Sequence, residues 1–150
     1  MIRVIDVHQS FGSQPVLRGI NLRVPKGEIL AIVGRSGSGK TVLLRLIIGL
    51  VRPNRGQILV EETDITQLSG RRLDHVRERF GMLFQGGALF DSMTVFDNVA
   101  FPLREKTNLP QAEVAAQVQK MLENVGLGEM GYKFPAELSG GMKKRTALAR

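Results

Sequence analysis

Eight residues constrain this chain more than any others: Gly34-Arg35-Ser36-Gly37-Ser38-Gly39-Lys40-Thr41, which read G-x-x-x-x-G-K-[ST]. That spacing describes a loop whose main-chain amides wrap nucleotide phosphates, provided a strand leads in and a helix leads out. The flanks agree. Ile29-Leu30-Ala31-Ile32-Val33 is a short apolar run that reads as a buried parallel strand. Val42 to Ile48 reads as a helix, with Gly49 as its stop. Gly34, Gly37 and Gly39 permit backbone turns closed to other residues and let the chain approach a ligand closely. The amides so exposed form an anion nest, and the positive end of the helix adds to it. Lys40 offers a point charge to β- and γ-phosphates, and Thr41 offers a hydroxyl to Mg²⁺. A chance glycine-rich turn with a surface lysine is the competing reading, and the matching flanks count against it.

Length and composition set the limits. At 150 residues, 43% hydrophobic and 23% charged, the chain suits one ordinary globular domain. Met1 to Asp6 alternates and carries an acidic residue, so it is not a signal peptide. No apolar run approaches the roughly 20 residues that span a bilayer. With no cysteine, disulfides and thiolate metal sites are excluded, and a reducing cytosol is compatible. The net charge of +7 raises nucleic acid as a partner. Only Arg71-Arg72, Arg77 with Arg79, and Lys143-Lys144-Arg145 cluster, and one Tyr with no Trp leaves little for base stacking. Solvated helix faces account for the charge better, and no direct nucleic-acid contact is expected.

Taken in order, Ile2 to His8 alternates as a strand, with Ile2 and Val4 on one face and Ile5 and Val7 on the other. A turn at Ser10 to Pro15 leads to a second strand, Val16 to Val24. This start reads as a small antiparallel sheet beside a nucleotide core. Gln57 to Val60 and Ile65-Thr66 flank a hairpin-like turn, and Ser69 to Arg77 a short basic helix. Phe80-Gly81-Met82-Leu83-Phe84 reads as a second buried strand, ending at Gln85-Gly86-Gly87. From Ala88 the pattern is helical. Thr94 caps a helix through Phe101 that Pro102 is expected to end, and Pro110 opens a longer one. In that helix Val114, Val118, Met121, Leu122 and Val125 form a packing stripe, and Gly126 is the expected cap.

Leu138-Ser139-Gly140-Gly141-Met142 is the second informative stretch. Small residues at a helix start expose amides and a hydroxyl to an anion. Alone they read as an ordinary N-cap; after a phosphate loop and a glutamine-bearing strand end they mean more. With Gly34–Thr41, Phe84-Gln85 and Leu138–Met142 in this order, the chain resembles the ATP-binding subunit of ABC transporters along its whole length. Leu83 to Phe90, Val95 to Glu105 and the methionine-ending signature resemble the Mla-type subset, which handles phospholipids and is often labelled toluene or organic-solvent tolerance.

The resemblance implies an α/β fold: a P-loop ATPase core with an antiparallel β subdomain over 1–87, an inserted helical subdomain over 88–137, and the signature with the start of its helix over 138–150. It implies that Phe11 stacks on the adenine of ATP, that Gly34, Arg35, Ser36, Gly37, Ser38, Gly39, Lys40 and Thr41 hold the phosphates, and that Lys40 serves catalysis. It assigns Gln85, with Thr41, to Mg²⁺, a hard cation that accepts neutral oxygen donors. Ser139, Gly140 and Gly141 would contact nucleotide held by a second, identical subunit. The helical subdomain would dock on an integral membrane permease, with the subunit peripheral on the cytoplasmic face of the inner membrane.

Three departures stand out. Met142 ends the signature where much of the superfamily has glutamine, and Glu62 stands where many relatives turn a hairpin with glycine. Family members also carry, beyond the signature helix, an apolar strand ending in aspartate, a catalytic glutamate and a switch histidine; neither His8 nor His75 can substitute. The 150 residues are therefore expected to be an N-terminal portion, with the core's C-terminal strands missing, that binds ATP weakly, folds poorly and does not hydrolyse. The alternatives are a soluble ATPase of the same superfamily working on nucleic acid or protein assembly, and a non-hydrolysing nucleotide-binding module.

Overall fold

The computed structural model describes residues 1–150, which form two units, Met1–Gly81 and Met82–Arg150. In the first, β1 (Ile2–Phe11) and β2 (Gln14–Val24) make a hairpin turned at Gly12-Ser13, and β3 (Arg55–Val60) pairs with the other edge of β1. With β4 (Thr63–Asp64) the antiparallel sheet runs β2-β1-β3-β4. α1 (Lys40–Ile47) and α2 (Gly70–Arg77) add their apolar sides to its core, where Val4, Val7, Leu43, Leu46, Ile58 and Leu73 are buried.

Strict alternation in β1 would put Val4 and Val7 on opposite faces; both are buried. The register shifts between them, with Asp6 at φ 46°, so a bulge rotates the strand and returns Val7 to the core. Asn21 Oδ1 accepts the Asp6 amide at 2.9 Å, and the Asp6 carboxylate meets His8 Nε2 at 2.8 Å and Arg55 Nη2 at 3.1 Å. The hydrogen bond with His8, then the charge of Arg55, holds the Asp6 carboxyl below its ordinary range. Opposite the bulge only glycine fits at Gly56, because a Cβ there would lie 2.4 Å from the Asp6 carbonyl oxygen.

The segments expected as buried parallel strands, Ile29–Val33 and Phe80–Phe84, form none. Ile29 is 100% and Val33 93% exposed. A parallel strand persists only between hydrogen-bonding neighbours, and every strand here belongs to the antiparallel sheet. The β3–β4 turn differs in detail: the positive φ, 56°, falls on Glu61 and not on Glu62.

In the second unit α3 (Val95–Lys106), α4 (Gln111–Asn124) and α5 (Gly140–Ala149) bury Val95, Val99, Val114, Val118 and Leu122 together. Thr94 caps α3, its hydroxyl accepting the Asp97 amide at 3.1 Å. Pro102 does not end α3, which continues to Lys106. It removes one main-chain donor, a loss the helix survives because its buried face is packed on both sides of that position. Fully buried Asn98 does what the sequence pattern does not announce. Its Oδ1 accepts the Phe90 amide at 2.8 Å, and its Nδ2 donates to the carbonyls of Phe90, Met93 and Thr94 at 2.9 to 3.1 Å. It thereby ties the loop before α3 to the helix. Gly126, at φ 68°, closes α4 as expected, with the Leu127 amide donating to the Leu122 carbonyl at 2.8 Å. No helix is long and apolar enough to cross a membrane.

Candidate phosphate-binding site

The loop from Gly34 to Thr41 closes on itself. Gly37 at φ 78° and Gly39 at φ 90° take left-handed conformations that favour glycine. At Gly39 a Cβ would also meet Leu17 Cδ2 at 2.8 Å and Val16 Cγ1 at 3.0 Å, so the loop is seated against β2 near the hairpin end that carries Phe11. At Gly34 a Cβ would lie 2.9 Å from Ser38 Oγ, and the Ser38 amide donates to the Arg35 carbonyl at 3.2 Å.

Gly39 is also the N-cap of α1 and supplies no side-chain cap. The first main-chain bond inside the helix runs from the Leu43 amide to the Gly39 carbonyl at 2.9 Å. The amides of Lys40, Thr41 and Val42 therefore lack an intrahelical acceptor and remain available to an anion. Lys40 Nζ lies folded over the loop, donating to the Gly34 and Arg35 carbonyls at 2.8 Å each, with Ser38 Oγ 3.5 Å away. The ammonium thus sits over the loop's own backbone. Arg35, Ser36 and Thr41 are exposed, and the Thr41 hydroxyl has no hydrogen-bond partner.

The donor set is that of an anion site: glycine at two positions where a Cβ would intrude, three unspent amides, and an ammonium resting on two carbonyls and near one hydroxyl. One exposed hydroxyl beside the nest suits a partial coordination sphere for Mg²⁺, a cation that keeps several waters and takes ligands from phosphate. No group of three or more His, Asp or Glu side chains forms a separate metal cage.

The remaining candidates divide between the units. Phe11, at the end of β1, is 53% exposed and free to stack. Gln85 is exposed in the turn that follows Phe84, closed by the Gly87 amide on the Phe84 carbonyl at 2.9 Å. Ser139 caps α5, its hydroxyl accepting the Met142 amide at 3.3 Å. Gly140 and Gly141 lie in the first turn of that helix. A Cβ on either would meet nothing within 4 Å, so no packing inside this chain demands glycine there.

Two side chains that hold the signature helix escape sequence reasoning. Arg145 Nη1 donates to the Val125 carbonyl at 2.9 Å, capping the end of α4, and buried Thr146 donates to the Met142 carbonyl at 3.0 Å. The available signal was α4 itself, whose last turn has no basic residue of its own to meet its free carbonyls. Met142 packs into the helical core, so the departure from glutamine exchanges a polar tip for an apolar anchor.

The family model described as ABC transporter matches residues 17–150. The chain is 49% identical over 150 residues to the intermembrane phospholipid transport system ATP-binding protein MlaF of Haemophilus influenzae, and to that of Escherichia coli K12, covering 100% of this chain and 57% and 56% of theirs. It is 48% identical over 149 residues to the probable ribonucleotide transport ATP-binding protein mkl of Mycobacterium leprae, covering 99% of this chain and 43% of that one. The chain thus spans about half the length of these curated relatives. Among solved structures it resembles the dimeric, post-hydrolysis state of the ATP-binding cassette MJ0796 bound to ADP and Pi, with a TM-score of 0.89 and 28% identity over 99% of this chain and 68% of that one.

Proposed function

The chain belongs to the ABC transporter family, and from that membership we propose that the complete protein is the ATP-hydrolysing, energy-coupling subunit of a transporter that moves phospholipid across the cell envelope. The observation that carries the nucleotide part is the loop over Gly34–Thr41, with open amides at the start of α1 and Lys40 Nζ resting on two carbonyls. The lipid part rests on 49% identity to MlaF proteins of two organisms.

In this reading Lys40 exchanges the carbonyls of Gly34 and Arg35 for phosphate oxygens, a stronger contact because both partners are then ionised. The exposed Thr41 hydroxyl and Gln85 amide oxygen hold Mg²⁺, and Phe11 stacks on adenine. Bound ATP supplies the phosphoanhydride whose cleavage drives the cycle. Ser139, Gly140 and Gly141 serve a second, identical subunit; the dimeric state of MJ0796 and the absence of local packing around the two glycines support that assignment. Residues 1–87 act as the nucleotide core, 88–137 as the helical subdomain that meets a membrane permease, and 138–150 as the signature. The subunit works from the cytoplasmic face of the inner membrane without touching nucleic acid. A ribonucleotide cargo is the second reading, favoured by 48% identity to the mycobacterial mkl protein.

The test is reconstitution of the full-length subunit with its permease in vesicles. Phospholipid-dependent ATP hydrolysis that disappears in Lys40→Ala is expected. Stimulation by ribonucleotides in place of lipid would overturn the lipid assignment, and turnover unchanged by Lys40→Ala would overturn the nucleotide site.

A further inference from the structure

A cleft of about 440 Å³ opens in the first unit between the β3–β4 turn and α2, and it shares no residue with the Gly34–Thr41 loop. Its floor is apolar, made by Val60, Leu68 and Val76. Its rim is basic. Arg71 and His75 lie one helical turn apart on α2, and Arg72 stands one turn before Val76, so both rows of the helix face line the opening. Arg79 completes the rim.

The charges are unevenly matched. Arg79 is paired with Glu61 at 2.8 Å, and His75 lies 3.4 Å from Glu78. Arg71 and Arg72 have neither an ion pair nor a hydrogen bond. They also occupy the first turn of α2, where no acidic residue offsets them and where two cations oppose the helix dipole. That cost falls away when an anion sits between the two guanidiniums. Two adjacent guanidiniums above an apolar floor match a tetrahedral, doubly accepting anion with an apolar portion attached.

We propose that this cleft binds a phosphate ester bearing an apolar group, with Arg71 and Arg72 on the phosphate and Val60, Leu68 and Val76 under the apolar part. The ester can come from a soluble metabolite or from a lipid headgroup; the chemistry at the cleft is the same. The volume lies within the range of small-molecule sites.

The test uses the full-length protein saturated with nucleotide, so that the phosphate loop is occupied. Dihexanoylphosphatidate below its micellar concentration, inorganic phosphate and dihexanoylphosphatidylcholine are titrated by calorimetry and by methyl NMR. The phosphatidate is expected to bind saturably, to shift the methyls of Val60, Leu68 and Val76, and to bind at least tenfold more tightly than the other two. The double variant Arg71→Gln/Arg72→Gln should weaken it at least tenfold while leaving nucleotide affinity unchanged and the melting temperature no lower. A second variant, Leu68→Asn, should weaken the phosphatidate alone. Co-flotation with phosphatidate-containing vesicles, lost in the double variant, would identify the lipid source; binding only to the monomeric ester would identify the soluble one. Equal affinity for inorganic phosphate, no binding, or binding indifferent to Arg71→Gln/Arg72→Gln would overturn the proposal.

Discussion

Replacing Gly39 by alanine isolates how the phosphate loop is held. The position has φ 90°, and its new Cβ would stand 2.8 Å from Leu17 Cδ2 and 3.0 Å from Val16 Cγ1. The backbone conformation alone costs an L-residue about 1–2 kcal/mol. Overpacking against β2 adds about 1–3 kcal/mol, toward the lower end here because both neighbours are side-chain methyls able to shift. The expected loss is about 2–4 kcal/mol. Gly37→Ala is the internal control: φ is 78°, yet nothing lies within 4 Å of its Cβ, so only the conformational cost of about 1–2 kcal/mol applies. Urea unfolding of the full-length protein without nucleotide reads both. Gly39→Ala should be the more destabilised by about 1 kcal/mol or more, and should lose ATP affinity as α1 is pushed from β2. Equal effects would show that the loop is not seated on Val16 and Leu17, and the reasoning would fail.

Gly140→Ala and Gly141→Ala should act in the opposite sense. Neither has a positive φ or a close neighbour, so alanine should stabilise α5 by about 0.5–1 kcal/mol in thermal unfolding while lowering steady-state ATPase activity; unchanged activity would remove the signature's role toward the partner subunit. Asn98→Ala leaves the Phe90 amide and the Met93 carbonyl without a partner, takes a second donor from the Phe90 and Thr94 carbonyls, and should cost about 3–5 kcal/mol by chemical denaturation. The hydrogen bond from Thr94 and the guanidinium of Arg104 hold the Asp97 carboxyl below the ordinary aspartate range. The stability this group contributes is complete above its unfolded pKa and is lost as pH falls toward the lower folded value, so Asp97→Asn should flatten the acid limb of the stability profile below about pH 4 and leave its alkaline side unmoved. The exposed Ile29 and Val33 should drive self-association of the 150-residue chain; Val33→Lys should raise its solubility in light-scattering measurements.

The elements that local chemistry specifies were legible in the sequence. The tight turns at Gly37 and Gly39, the Thr94 and Ser139 caps and the Gly49 and Gly126 stops each depend on a few adjacent residues, and each appears where the pattern puts it. What depends on distant partners was not. Ile29–Val33 carries the composition of a buried strand, but composition cannot supply the neighbours that make one. The β1 bulge needed Asn21, Arg55 and Gly56, none of them near Asp6 in sequence. Pro102 reads as a stop because propensity is local, whereas the packing that carries α3 past it is not. In the candidate site, the sequence named the loop but not the posture of Lys40, which depends on the carbonyls of Gly34 and Arg35 turning inward.

We propose that open amides at the start of α1, with the ammonium of Lys40, grip a triphosphate. Equilibrium binding of a fluorescent ATP analogue with Mg²⁺ to the full-length Lys40→Ala subunit measures that grip, with circular dichroism confirming that the fold is intact. Affinity should fall at least tenfold, since two charge-assisted contacts of about 1.5 kcal/mol or more are removed. Affinity equal to that of the unaltered subunit would contradict it.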